Sequence, residues 1–153
     1  MKEIEFAQVK NTFSMTCRVE AKINTNAETI WVLLTDAKGF SRWNSTITGI
    51  DGSIREGERI RIHVPGTERT FRPRVLNVEI NKHMRWSDGL APLFRGSRTF
   101  ELRQSDDKST DFIMEEKFEG LIFAIVKNRL PDFKLIFEKY AFDLKSEAER
   151  ALV

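Results

Sequence analysis

The chain has 153 residues, 41% of them hydrophobic and 31% charged, which suits one globular domain and argues against disorder, collagen-like repeats or a disulfide scaffold. Lys and Arg number 25 against 23 Asp and Glu, for a net charge of +2, too small to argue for nucleic acid on charge alone. The single cysteine, Cys17, excludes an intrachain disulfide. The longest apolar run, Leu121 to Val126, is far below the roughly 18 residues that span a bilayer, and no secretory leader is visible, so a reducing, cytoplasmic setting is expected.

Residues Phe13 to Ile23 alternate. Met15, Cys17, Val19, Ala21 and Ile23 share one face and Thr16, Arg18, Glu20 and Lys22 the other, the pattern of a half-buried strand. Thr25 with Glu28 fits a capping box and Asn26 is an equally good N-cap. Ile30, Leu33 and Leu34 then recur at helical spacing, which predicts a short helix to about Asp36. Gly39 and Ser41 break that pattern before Trp43-Asn44. A series of strands is predicted next: Ile47 to Ile50, Arg59 to Val64, Thr70 to Ile80 with a bulge or edge position at Pro73, and Met84 to Ser87. Asp88-Gly89 reads as a loop. Phe94 to Arg103 and Thr110 to Phe118 form a hairpin across the polar run Ser105 to Ser109. At Gly120 the spacing turns helical. Leu121 to Leu130 is apolar and Pro131 interrupts it. Then Phe133, Ile136, Phe137, Tyr140, Ala141, Leu144 and Ala148 make one stripe of a helix from about Asp132 to Arg150. Glu138, Lys139, Lys145, Glu147 and Glu149 fall on its other side.

This order resembles the START-like, or SRPBCC, superfamily, and more narrowly its polyketide cyclase/dehydrase and lipid-transport branch. The resemblance is carried by Ile30-Trp31 through Asp36, Phe40 with Trp43-Asn44, Gly52 and Gly57 with Arg59-Ile60, and Thr70 to Val75. Met84-Arg85-Trp86, Phe94-Arg95-Gly96 leading into Phe100, Glu116 to Gly120 and Leu144 to Glu149 complete it, over roughly residues 14–150. It implies an α+β helix-grip fold: a seven-stranded antiparallel curved sheet wrapped around the long C-terminal helix, with two short helices after the first strand. It also implies a cavity between sheet and helix in which members bind lipids, sterols, hormones or polyketides. The expected organisation is a single START-like domain over residues 1–153, with residues 1–12 a disordered or loosely packed extension. The family has no shared catalytic motif to carry over, so only the cavity location is transferred.

The residues add their own argument. A hairpin loop centred on Asp107 pairs Leu102 with Phe112, Phe100 with Met114, Arg98 with Glu116, and Gly96 with Phe118, all on one side of the sheet because side chains alternate. Three of those pairs are apolar or aromatic over glycine, so that side faces the helix and carries Arg98 and Glu116 inward. The pair reads either as a self-satisfied ion pair or as the group that orients a ligand's polar head. Trp43, Trp86, Phe94, Phe100, Phe118, Phe133 and Phe137 are read as lining the same space, with Trp43 and Trp86 at its mouth. The expected ligand-binding set is thus Arg98, Glu116, Trp43, Trp86, Phe100, Met114, Phe118, Phe133 and Phe137, and the expected partner is a hydrophobic small molecule.

Residues 55–103 carry eleven basic groups against six acids. Arg59, Arg61, Arg72, Arg74 and Arg103 are expected on the outer sheet face, a solvated surface that leaves a transient anionic membrane contact open. Aromatics interleaved with them are scarce, so nucleic acid is not expected. His63 and His83 lack a Cys or second His at ligand spacing, so no metal and no cofactor is expected. Cys17 reads as a small buried hydrophobe. Three functions remain: a ligand-binding module; a cyclase or dehydratase using Glu116 as acid/base with Arg98 or Tyr140 stabilising an enolate; and a protein-interaction module without ligand. Monomer and homodimer are both compatible with the sequence.

Overall fold

In the computed structural model, residues 3–150 are described. Among them, nine strands form two antiparallel sheets. The larger has the order β1-β2-β9-β8-β7-β6, from Ile4–Lys10 (β1), Ser14–Ile23 (β2), Arg74–Glu79 (β6), His83–Leu90 (β7), Phe94–Asp106 (β8) and Ser109–Glu119 (β9). The smaller joins Gly49–Asp51 (β3), Arg61–His63 (β4) and Thr70–Phe71 (β5). Ala27–Thr35 (α1) and Phe40–Trp43 (α2) follow β2, Leu121–Val126 (α3) and a single 3-10 turn follow β9, and Phe133–Arg150 (α4) closes the chain. The architecture is the expected α+β one: a curved, mostly antiparallel sheet gripping a C-terminal helix. Among the described residues, no helix is long and apolar enough to cross a membrane.

Nine strands replace the expected seven for two reasons. Thr70 to Ile80 is not continuous. Pro73 has no amide hydrogen to give a ladder, and the chain changes sheets there: β5 pairs with β4, and β6 becomes an edge of the larger sheet beside β7. Residues 1–12, expected to be a loose extension, contribute β1, which pairs antiparallel with β2 from Ile4↔Ala21 to Lys10↔Met15. Only Ile4 and Phe6 point an apolar side chain inward and both stay half-buried, so the run is too short in apolar periods to signal a strand. Residues 1 and 2 of that extension lie outside the described residues.

Asp88-Gly89 is also strand rather than loop. β7 continues to Leu90 because Gly89, at φ 96°, lets its backbone approach the facing strand; a Cβ there would sit 2.3 Å from the Phe94 carbonyl oxygen. The short helix α1 is capped by Asn26, whose side chain accepts from the Thr29 amide at 2.9 Å. On α4 the residues Phe137, Tyr140, Ala141, Leu144 and Ala148 are buried. The helix lies over β1 and β2 and touches α1 and α2.

Candidate functional site

The β8–β9 hairpin has the register read from the sequence: Gly96↔Phe118, Arg98↔Glu116, Phe100↔Met114 and Leu102↔Phe112. Phe100, Phe112 and Met114 are fully buried, which identifies their face as the one under α4. Alternation therefore carries Arg98 and Glu116 to the same interior. Arg98 donates from Nη2 and Nε to one carboxylate oxygen of Glu116, Oε2, at 2.7 and 3.2 Å. The side chains are 17% and 16% exposed. The guanidinium also lies 5.4 Å from the ring centre of Phe137 and 5.6 Å from that of Tyr140, a cation–π arrangement with both inner rings of α4. Burial is the largest single influence and opposes the Arg98 charge, but the surrounding groups, Glu116 foremost through its charge and hydrogen bond, together hold its pKa above the ordinary guanidinium value.

Tyr140 is the centre of the surrounding rings. It stacks on Phe112 at 6.3 Å between ring centres, meets Trp43 edge-on at 6.0 Å, and tilts against Phe100 at 6.2 Å and Phe40 at 6.4 Å. Burial pushes its phenol well above the usual range, against the pull of Arg98. It is therefore a neutral O–H at any physiological pH. That O–H, and the indole N–H groups of Trp43 and Trp86, are buried without a hydrogen-bond partner. All three belong to one aromatic cluster: Phe40 touches both indoles and Tyr140, and Trp86 packs on Phe100 at 4.7 Å. Buried polar groups are normally paired, so three unpaired donors in one cluster mark it out.

The structure brings all nine expected site residues to this interior, although not all as expected. Met114, Phe100 and Phe137 are its walls. Phe118 and Phe133 stack at 5.2 Å, half-buried, with Phe94 against Phe118 at 6.2 Å. Trp43 and Trp86, expected at the mouth, are 8% and 2% exposed and lie inside. The reason for Trp86 is the longer β7, which makes it a mid-strand residue opposite Arg98 rather than a strand end. Trp43 ends α2, which folds under α4. Contrary to the cavity expected there, ring contacts cross the space between sheet and helix. The two described pockets, of about 610 and 690 Å³, open elsewhere, one beside Lys82, His83 and Arg103 and the other beside Trp31 and Ile54.

Cys17 sits opposite Glu116 in the ladder and its Sγ donates to Gln8 Oε1 at 3.5 Å. Burial pushes its pKa up to about 11, so it stays a thiol and is no nucleophile. Three of the five outer arginines are tied down locally. Arg103 forks onto Glu101 at 2.8 and 3.2 Å, Arg59 donates to the Arg72 carbonyl, and Arg74 to that of Gly57. His63 lies 2.8 Å from Asp51, and no group of three or more potential metal ligands occurs among the described residues. Tyr140, named from the sequence only as an alternative to Arg98 in stabilising an enolate, is absent from the expected ligand-binding set. The signal was present: it is the only tyrosine, one turn beyond Phe137 on the apolar stripe, where an O–H has no obvious partner.

Residues 14–146 match the family model described as polyketide cyclase / dehydrase and lipid transport. Solved structures of similar shape include a Rhodobacter sphaeroides protein with 18% identity, covering 99% of this chain and 100% of that one at a TM-score of 0.71. Zhui aromatase/cyclase from a Streptomyces species shares 14% identity over 92% of this chain and 96% of its own, at 0.68. A START superfamily protein from Mycobacterium smegmatis shares 16% over 89% and 98%, at 0.66. Identities this low show a shared fold and nothing finer. No curated protein matches the sequence.

Proposed function

This chain belongs to the polyketide cyclase/dehydrase and lipid transport family, and from that premise we propose that it binds a hydrophobic or amphipathic small molecule, lipid-like or polyketide-like, between the sheet and α4. The observation that carries the reading is the trio of buried, unpartnered donors, Trp43 Nε1, Trp86 Nε1 and Tyr140 Oη, within an otherwise apolar aromatic cluster. Each such donor costs about 1–3 kcal/mol when left unpaired. A guest with acceptor oxygens on a flat apolar body relieves that cost and keeps the walls apolar, the usual composition of a binding site. Arg98 and Glu116 retain Nη1 and Oε1 outside their mutual hydrogen bonds, one donor and one acceptor for a polar end. Entry proceeds by displacement of Phe118 and Phe133, the half-buried rings of the set.

A second reading, cyclase or dehydratase chemistry with Glu116 as the proton-handling group, is favoured by Tyr140. A neutral phenol beside Arg98 is a suitable donor to a developing enolate. One experiment separates these. Native mass spectrometry of the purified chain is expected to show a retained small molecule removable by solvent extraction, and the stripped protein is expected to take up an anthraquinone probe with quenching of the Trp43 and Trp86 emission. Tyr140→Phe should weaken that uptake about three- to tenfold, the worth of one hydrogen bond. Conversion of the retained molecule on incubation would favour the enzyme. A folded protein with neither retained mass nor probe uptake would overturn both readings, leaving a protein-interaction module.

A further inference from the structure

Outside that site, three segments meet at the end of the larger sheet where β7 turns into β8. Backbone hydrogen bonds clamp them together: the Leu121 amide to the Pro92 carbonyl at 3.1 Å, Ile122 to Leu93 at 2.9 Å, and Gly120 to Phe13 at 2.9 Å. Every segment presents large apolar side chains to solvent: Phe13; Leu90 and Leu93; Leu121, Ile122 and Ile125, the last of these 79% exposed. Groups of this size exposed together on one end mark an interaction surface.

The charges there are one-sided. Residues 9–13, 90–95 and 120–130 contain Lys10, Arg95, Lys127 and Arg129 and no acid, although the whole chain is nearly balanced at 25 against 23. Lys10 reaches the Lys127 carbonyl at 3.4 Å, which joins two of the three segments. Glu119, opposite Arg95 in the ladder, is paired with Lys117 instead.

We propose that this end of the molecule docks on an anionic bilayer surface, its aliphatic side chains entering the headgroup region and its four cations lying among the lipid phosphates. Apolar insertion and Coulomb attraction are the two contributions that hold a peripheral protein on such a surface. Competing occupants fit less well. Five of the six exposed groups are aliphatic, whereas a single-stranded nucleic acid is held by aromatic stacking. A second copy in a two-fold contact would set the patch against itself, cation against cation. The docked orientation brings the Phe94–Phe118–Phe133 stack, and Arg98 behind it, toward the membrane.

The test needs no guest molecule, so it stands or falls apart from the ligand reading. The full chain is co-sedimented with vesicles of phosphatidylcholine alone and of phosphatidylcholine mixed with phosphatidylglycerol. Binding is expected to the mixed vesicles only, and to fall as salt rises. Leu121→Ser with Ile125→Ser, and separately Lys10→Glu with Arg129→Glu, should each lower the partition coefficient about tenfold or more, since each pair removes one of the two contributions. These side chains are exposed, so thermal unfolding should be unchanged; if the serine pair fails to fold, the glutamate pair decides. Equal binding to both vesicle types, or binding unaffected by the glutamate pair, would overturn the proposal. So would a concentration-dependent dimer that Ile125→Ser dissolves.

Discussion

Arg98 and Glu116 are each less than one-fifth exposed, so neither charge is well solvated without the other. Breaking an ion pair of this kind leaves one uncompensated charge at a cost of about 3–5 kcal/mol, and the remaining exposure places this one near the lower end. Arg98→Met is therefore expected to lower unfolding stability by about 3 kcal/mol in urea denaturation. Adding Glu116→Leu should restore most of that loss, because the orphaned carboxylate is gone and the surroundings are aromatic. A double variant no more stable than Arg98→Met would mean that the pair contributes through shape rather than charge. Alternation along two strands was enough to place both side chains inside. It gave no account of Tyr140 or of the two indole N–H groups, because an unpartnered donor is a property of the packed interior and leaves no trace in periodicity.

The polar side of α4 is the element that sequence reading undervalued. Glu147 and Glu149 lie on the side that periodicity assigns to solvent, yet both are engaged. Glu147 accepts from Arg42 of α2 and from Arg150 at 3.0 Å. Glu149 accepts from the Asn24 amide at 2.8 Å and from Lys145, which also reaches the Lys22 carbonyl. Asp143 takes both the amide and the hydroxyl of Ser45, at 2.8 and 2.7 Å. The helix is thus latched to the β2–α1 connection and to α2 as well as packed on the sheet. Such partners come from residues about 100 positions away, beyond the reach of any local pattern. The hydrogen bond from Arg42, helped by Arg150 and opposed by burial, holds the Glu147 carboxyl below its ordinary 4.5. A depressed folded pKa contributes stability that is full above 4.5 and is lost as pH falls through the folded value. Arg42 and Arg150 are themselves exposed, so the contribution is on the order of 1 kcal/mol or less. Glu147→Gln should accordingly be less stable than the parent at pH 7 by that amount, with the gap closing as pH falls below 4.5 and through the folded pKa. A gap that does not narrow at all as pH falls below 4.5 would assign the effect to packing.

At the scale of the whole molecule, the fold was legible where long apolar periods exist: in β2, the β8–β9 hairpin and α4. It was not legible where few side chains face inward, as in β1, or where one backbone feature redirects the chain, as at Pro73 and Gly89. β1 matters to the whole because it covers the free edge of β2 and sets Phe6 edge-on against Phe137 at 5.8 Å. Removal of residues 1–12 is expected to cost about 2–3 kcal/mol, the partial burial of Ile4 and Phe6. It should also promote self-association through the bared β2 edge, to be read by urea unfolding and by size-exclusion elution. An unchanged midpoint and elution volume would make the strand an ornament. One further consequence comes from composition and position together. The chain has one phenol, and it sits where the hairpin, the short helix and the long helix meet. Any ultraviolet signature of phenolate therefore originates from a single point at the molecule's centre, giving the native protein an intrinsic, label-free gauge of when that centre becomes wet.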